Sequence, residues 1–154
     1  MSTLRESFTA AMKEAMKAGD KTRLSAVRLI QAKLKDKDIE ARGAGKGTAT
    51  DDEILSMLQK EIKQRQESAA IYSQAGRAEL ADQENAEIAV ISSFLPQQLD
   101  EAEVAAAIDA AIAETGAASI KDMGKVVGHL KGAYAGRMDF AKASAAVKAK
   151  LSGA

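Results

Sequence analysis

Apolar residues recur at helical spacing almost from the start of the chain. Leu4, Phe8, Met12 and Ala15 make one stripe and Gly19 a stop, which predicts a helix over about 4–18. After Gly19-Asp20, Leu24, Val27, Ile30 and Leu34 carry the same period from Thr22 to about Asp38, with Lys and Arg on the other faces, so a second helix should pack back on the first. Residues 42–50 read Arg-Gly-Ala-Gly-Lys-Gly-Thr-Ala-Thr, with three glycines and no large apolar side chain, and predict a loop that buries too little to offset its ordering. Thr50 and Glu53 then have capping-box form, opening a long third helix that carries Ile54, Leu58, Ile62, Ala69 and Tyr72 to about Gln74. Gly76 breaks it, and a fourth helix is expected over about 77–94 with Leu80, Ile88 and Ile91 inward, forming an antiparallel hairpin with the third. Arg65 and Glu84 fall on the facing stripes at comparable distances from that turn, which predicts a structural ion pair from Arg65 to Glu84 or Glu87.

Pro96, the only proline, ends the fourth helix and pushes Leu95 toward extended backbone, making Phe94-Leu95-Pro96-Gln97-Gln98-Leu99 the main boundary. Beyond it, Asp100 and Glu103 cap a fifth helix with Val104, Ile108 and Ile112 that closes at Gly116. Ser119 with Asp122 opens a sixth helix carrying Met123, Val126, Val127 and Leu130, and Asp139 a seventh carrying Phe140, Ala143, Val147 and Leu151. The expected class is all-α: an N-terminal multi-helix domain over 1–95 with a long helical hairpin, a linker at 96–99, and a three-helix domain over 100–154.

Composition narrows the chemistry. No cysteine is present in 154 residues, which removes disulfides, thiolate metal sites and thiol nucleophiles. No apolar run reaches the length of a signal-peptide core or a membrane span, so a cytoplasmic monomer without membrane partners is expected. Positive and negative side chains balance at 22 each, so binding to a polyanion has to come from local patches. One such patch lies between Lys13 and Lys37, where bases exceed acids by five; most of it reads as a solvated face, with Arg28 beside the apolar stripe and anchored to an acid of another helix.

Candidate catalytic groups mostly fail on spacing. Gly43 to Thr48 resembles a phosphate loop, but Gly47 stands where Lys46 should be followed by Ser or Thr, Glu40 stands where the first glycine belongs, and no strand precedes. His129 is the only histidine, which excludes a multi-histidine metal site, and no serine sits on a nucleophile elbow. The acidic pairs Asp51-Asp52, Glu84-Glu87 and Glu101-Glu103 are explained by helix starts or by the Arg65 pairing. No catalytic residue, metal or cofactor is therefore assigned.

The better-arranged basic cluster is Lys121, Lys125, His129 and Lys131, with Arg137 just beyond. Lys121, Lys125 and His129 follow an i, i+4, i+8 order, and so do Gly124, Gly128 and Gly132. A glycine inside a helix costs about 1 kcal/mol relative to Ala. Three of them imply close approach, either of a neighbouring helix or of a ligand phosphate.

Taken in order, Phe-Leu-Pro-Gln-Gln-Leu at 94–99, Glu-Thr-Gly-Ala at 114–117, Lys-Asp-Met-Gly-Lys-Val-Val-Gly-His-Leu-Lys at 121–131 and Gly-Arg-Met-Asp at 136–139 resemble the GatB/YqeY family. Arg-Leu-Ser-Ala-Val-Arg-Leu-Ile at 23–30, Lys-Gln-Arg-Gln-Glu-Ser at 63–68 and Gly-Arg-Ala-Glu-Leu-Ala at 76–81 resemble its stand-alone members, so the likeness covers nearly the whole chain. It implies a helical domain joined to one like the tail of the aspartyl/glutamyl-tRNA amidotransferase B subunit, which is associated with holding tRNA. It also implies kinship to carbon-nitrogen ligases with glutamine as amido-N-donor, although the catalytic subunits and the activating cradle are absent. Carried over by position, the tRNA-facing candidates are Lys121, Lys125, Lys131 and Arg137 with Gly124 and Gly128, joined by His129 from the basic ridge. The expected function is a tRNA-binding accessory module whose partners are tRNA and amidotransferase or tRNA-related proteins. Alternatives are a small amidotransferase-type ligase centred on Arg65, Glu84 and the Pro96 linker, or a protein-interaction scaffold built on the hairpin.

Overall fold

The computed structural model describes residues 3–153. Among them are α1 (Leu4–Ala18), α2 (Lys21–Gly43), α3 (Asp51–Gln74), α4 (Ala78–Ser92), α5 (Glu101–Thr115), a 3₁₀ turn (Ile120–Asp122), α6 (Met123–Ala133) and α7 (Phe140–Leu151), and no strand. The chain divides into two compact units, Met1–Leu95 and Pro96–Ala154.

In the first unit the caps explain the helix limits. The Thr3 hydroxyl accepts from the Glu6 N–H and the Glu6 carboxylate from the Thr3 N–H, both at 3.1 Å, so two backbone donors without a partner in α1 are satisfied. Gly19 closes α1 at φ 66°, where its N–H reaches the carbonyls of Ala15 and Met16. Thr50 and Glu53 repeat the capping box at the start of α3. One face of each helix supplies the core: Phe8 of α1, Val27 and Ile30 of α2, Ile54 and Leu58 of α3, and Ile91 of α4 are all buried. Phe94, just past α4, meets Phe8 edge-on with ring centroids 5.0 Å apart. The long hairpin is α3 against α4, with α2 packed on α1 and α4.

Several expectations for this unit are corrected. α2 runs to Gly43, not Asp38, because Glu40, Ala41 and Arg42 are good helix formers and Ala41 is buried. The following segment folds back instead of trailing: Lys46 donates its N–H to the Ala41 carbonyl at 2.8 Å, and Ala49 enters the core. A three-way clasp holds it there. Arg5 makes paired hydrogen bonds of 2.9 and 2.8 Å to Asp38 and donates to the Ala49 carbonyl at 3.1 Å, while the Ala49 N–H donates to Asp38 at 2.9 Å. These bonds hold the Asp38 carboxyl at a pKa of about 2, with Arg5 the largest cause and the Ala49 N–H the next. Leu80, expected inward, is exposed, because α4 turns Ala81, one position on, toward α3.

A polar seam crosses the same helices. Lys33 of α2 lies 3.1 Å from the buried Glu61, and one turn along α3 the buried Arg65 meets Glu84 at 3.5 Å and also pairs with Glu87. Both glutamates are thereby engaged as structural counter-charges. Arg28, expected to be anchored to an acid, is exposed and has no ion-pair partner among the described residues.

The second unit packs α5, α6 and α7 around Ile108, Val126, Leu130 and Val147, with Met138 of the α6–α7 connection also buried. Asp100 and Glu103 form its first capping box, and Gly116 ends α5 at φ 68°. Lys150 of α7 pairs with Asp109 of α5.

Candidate nucleic-acid interface

α6 is a short helix with two contrasting sides. At about 100° per residue, Met123, Val126, Val127 and Leu130 share the side turned into the second unit, and Val126 and Leu130 have no measurable exposure. The same rotation places Gly124, Gly128 and Gly132 on the opposite side, between Lys125 and Lys131. All five are exposed. A Cβ added at any of the three glycines would meet nothing within 4 Å. The expectation that a neighbouring helix packs on these glycines is therefore not met among the described residues of the second unit.

The basic residues divide into two kinds. Lys121, Lys125 and Lys131 are exposed, and none makes an ion pair with an acid among the described residues. Lys121 belongs to the 3₁₀ turn and not to α6, so its side chain leaves the helix axis at a different angle from the simple i, i+4 projection. Lys125 lies near enough to Asp122 to help hold that carboxyl below its usual range, after the larger effect of the Ala118 and Ser119 N–H groups, which donate to it. The residue itself is exposed. His129, by contrast, has Nε2 2.8 Å from Glu114 of α5.

Arg137 has a building role. Its Nε donates to the Gln97 carbonyl at 3.0 Å, its own carbonyl accepts from the Leu99 N–H at 2.9 Å, and its guanidinium carbon sits 5.8 Å from the centre of the Tyr134 ring. Gln98 completes the clamp by donating to the Gly136 carbonyl at 2.6 Å, with Gly136 at φ 73° in a turn that L side chains rarely adopt. Residues 97–99, expected as linker, are thus held by hydrogen bonds within the second unit. Periodicity carries no signal for a clamp made of backbone carbonyls and one guanidinium. The strings at 94–99 and 136–139 that carried the family likeness are the two halves it joins.

The site as a whole is an exposed, basic, glycine-rich helix face. Lysines with glycine between them can meet a polyanion by charge while letting its backbone come close, and α6 carries no Phe, Tyr or Trp to offer a base a stacking platform. Among the described residues no cluster of three or more His, Asp or Glu could hold a metal ion. None of the described helices is long and apolar enough to cross a membrane.

Comparison with known proteins agrees with the likeness read from the motifs. Over 85 residues, 55% of this chain, the sequence is 32% identical to "Altered inheritance of mitochondria protein 41, mitochondrial" of Pyrenophora tritici-repentis (strain Pt-1C-BFP), and the match spans 45% of that relative's length. Residues 5–151 match the family described as Yqey-like protein, which takes in both compact units, and the chain belongs to that family.

Proposed function

We propose that this protein is a tRNA-binding accessory module without a catalytic centre of its own. It works in the cytoplasm beside a glutamine-dependent tRNA amidotransferase or another tRNA-handling protein. The observation that carries this reading is the solvent side of α6 and the turn before it, where three exposed lysines that form no ion pair among the described residues surround an open strip of glycine in a chain of the Yqey-like family. The family's resemblance to the tail of the amidotransferase B subunit supplies the class of polyanion. Lys121, Lys125 and Lys131 contact phosphates, Gly124 and Gly128 let the RNA backbone approach, and His129 and Arg137 shape the surface from behind their own partners. Recognition of this kind reads the form of the RNA backbone and tolerates changes of base.

A ligase reading would need Glu84 or Glu87 available to a substrate, and Arg65 occupies both. Kinship to carbon-nitrogen ligases is accordingly read as shared binding, not shared chemistry.

Electrophoretic mobility of tRNA across a salt series tests the proposal. If each lysine neutralises one phosphate, changing Lys121, Lys125 and Lys131 together to Ala should flatten the dependence of log K on log salt by about 2 to 3. Unchanged affinity and slope in the triple variant would remove the site assignment. Absence of tRNA binding by the unaltered protein at low salt would remove the function.

A further inference from the structure

The outward side of α2 carries a regularity that the core does not explain. Lys21, Arg28, Lys35 and Arg42 recur every seven residues along its whole length, and all four are exposed. Seven residues are two helical turns, so the charges are spaced by about 10.5 Å in a row about 30 Å long. The buried residues of α2, among them Val27, Ile30 and Leu34, lie on the opposite side.

The row is set apart by its regular spacing and by its lack of ion pairs, although Arg42 at its end lies near enough to Asp38 to help hold that carboxyl low. Of the other cations of α2, Lys33 pairs with Glu61 and Lys37 with Glu40, while Arg23 and the four of the row form no ion pair among the described residues. Of the acids of α2, Asp38 is taken by Arg5, Glu40 by Lys37, and only Asp36 flanks the row. Apolar side chains intervene: Leu29 is 40% exposed and Ile39 55%. Lys21, Arg28 and Leu29 border one shallow depression, and Lys35, Ile39 and Arg42 border a second.

We propose that this face of α2 docks an acidic amphipathic helix of another protein, one with carboxylates at seven-residue spacing and aliphatic side chains between them. Positions seven apart drift about 20° around a straight helix per repeat. A partner helix inclined at about 20° follows that drift and keeps each carboxylate level with a cation. Leu29 and Ile39 then meet the aliphatic side chains over the two depressions. A nucleic acid would satisfy the charges but leave both residues against phosphate or water, and α2 has no aromatic side chain on which a base could stack. A bilayer would need a wider apolar face than two exposed aliphatic residues provide. This surface lies on the first unit and stands whether or not the α6 lysines bind RNA.

The test uses the full chain and a labelled synthetic helix with Glu every seventh residue and Leu between, compared with a scrambled peptide of the same composition, by fluorescence anisotropy at low and moderate salt. The matched peptide should bind about tenfold tighter than the scrambled one, a preference that rests on aligned pairs and not on total charge. Changing Lys21, Arg28, Lys35 and Arg42 to Ala should abolish the preference, and Leu29→Gln with Ile39→Gln should weaken binding several-fold with the salt dependence retained. The Arg28→Glu, Lys35→Glu variant should lose the matched peptide and regain a partner carrying Lys at the two facing positions, which a merely misfolded variant would not do. Equal binding of matched and scrambled peptides overturns the proposal. So does failure of the swap to rescue, or binding of RNA or of phosphatidylserine-containing vesicles through the row while the matched peptide does not bind.

Discussion

Filling the bare strip on α6 should make the protein more stable, which is the opposite of what glycine-to-alanine changes do in tightly packed helices. Gly128 lies in the middle of α6, its φ is not positive, and an added Cβ would touch nothing within 4 Å. Gly128→Ala should therefore gain most of the helix-propensity difference, about 1 kcal/mol, part of it through a less flexible unfolded chain. Gly124 and Gly132 are next to the helix ends, where propensity counts for less, so each should add about half as much and the triple variant about 2 kcal/mol. For a unit of this size 1 kcal/mol moves the melting temperature by roughly 4–8 °C, so the second unit should melt about 8–16 °C higher. Thermal unfolding followed by circular dichroism, with amide exchange to separate the two units, reads this directly. A fall in the stability of Gly128→Ala would refute the open-space account and mean that something packs there. The same variant also asks why the glycines are present: a more stable protein whose tRNA affinity drops would show that three methyl groups stand in the way of the RNA backbone.

Other outcomes follow from the engaged side chains. Asp38→Asn should lower stability by about 1 kcal/mol near neutral pH, after allowance for the solvent around Arg5, and denaturant titrations at several pH values read it. Because the folded-state pKa of Asp38 is depressed to about 2, that stabilisation is present above the unfolded value near 4 and lost as pH falls from about 4 through 2, so variant and parent should converge there. Arg65→Ala should cost about 3 kcal/mol in equilibrium unfolding, since it leaves Glu84 and Glu87 shielded beside each other without a counter-charge; a loss under 1 kcal/mol would mean the seam is solvated. Arg137→Lys keeps the charge but cannot reproduce the Nε bond to Gln97, so it should lower the stability of the second unit by about 1 kcal/mol and leave the salt dependence of tRNA binding unchanged.

Much of the helical layout is legible because strong periodicity and strong punctuation coincide. The stripe from Leu4 to Ala15 ends at a glycine, and Thr50 and Asp100 each precede a glutamate by three residues, so local chemistry and burial agree about where α1, α3 and α5 begin or end. The segment after Asp38 misleads because its glycines suggest looseness, while Gly45 and Gly47 serve turns at φ 74° and 79° and a distant arginine supplies the anchor. Leu80 misleads because hydrophobicity alone cannot place a residue on the inward side when the close approach of α3 and α4 favours the smaller Ala81. Glu61 escaped notice for the converse reason: a charge on an apolar stripe reads as exposed until its partner, Lys33 of another helix, is known. At the candidate interface, spacing identified the lysines and glycines but not the engagement of His129 and Arg137, since Glu114 and Gln97 are neighbours only in the folded chain.

The clamp at Arg137 also decides where the C-terminal piece can be cut free. A fragment starting at Asp100, the first residue that sequence patterning assigns to a helix, would discard Gln97, Gln98 and Leu99 and with them the carbonyl, the amide and the N–H that close the α6–α7 turn. One starting at Pro96 keeps them all. Exchange of this piece between related proteins should therefore be joined upstream of the proline, so that the turn and the 97–99 segment clamped to it travel together.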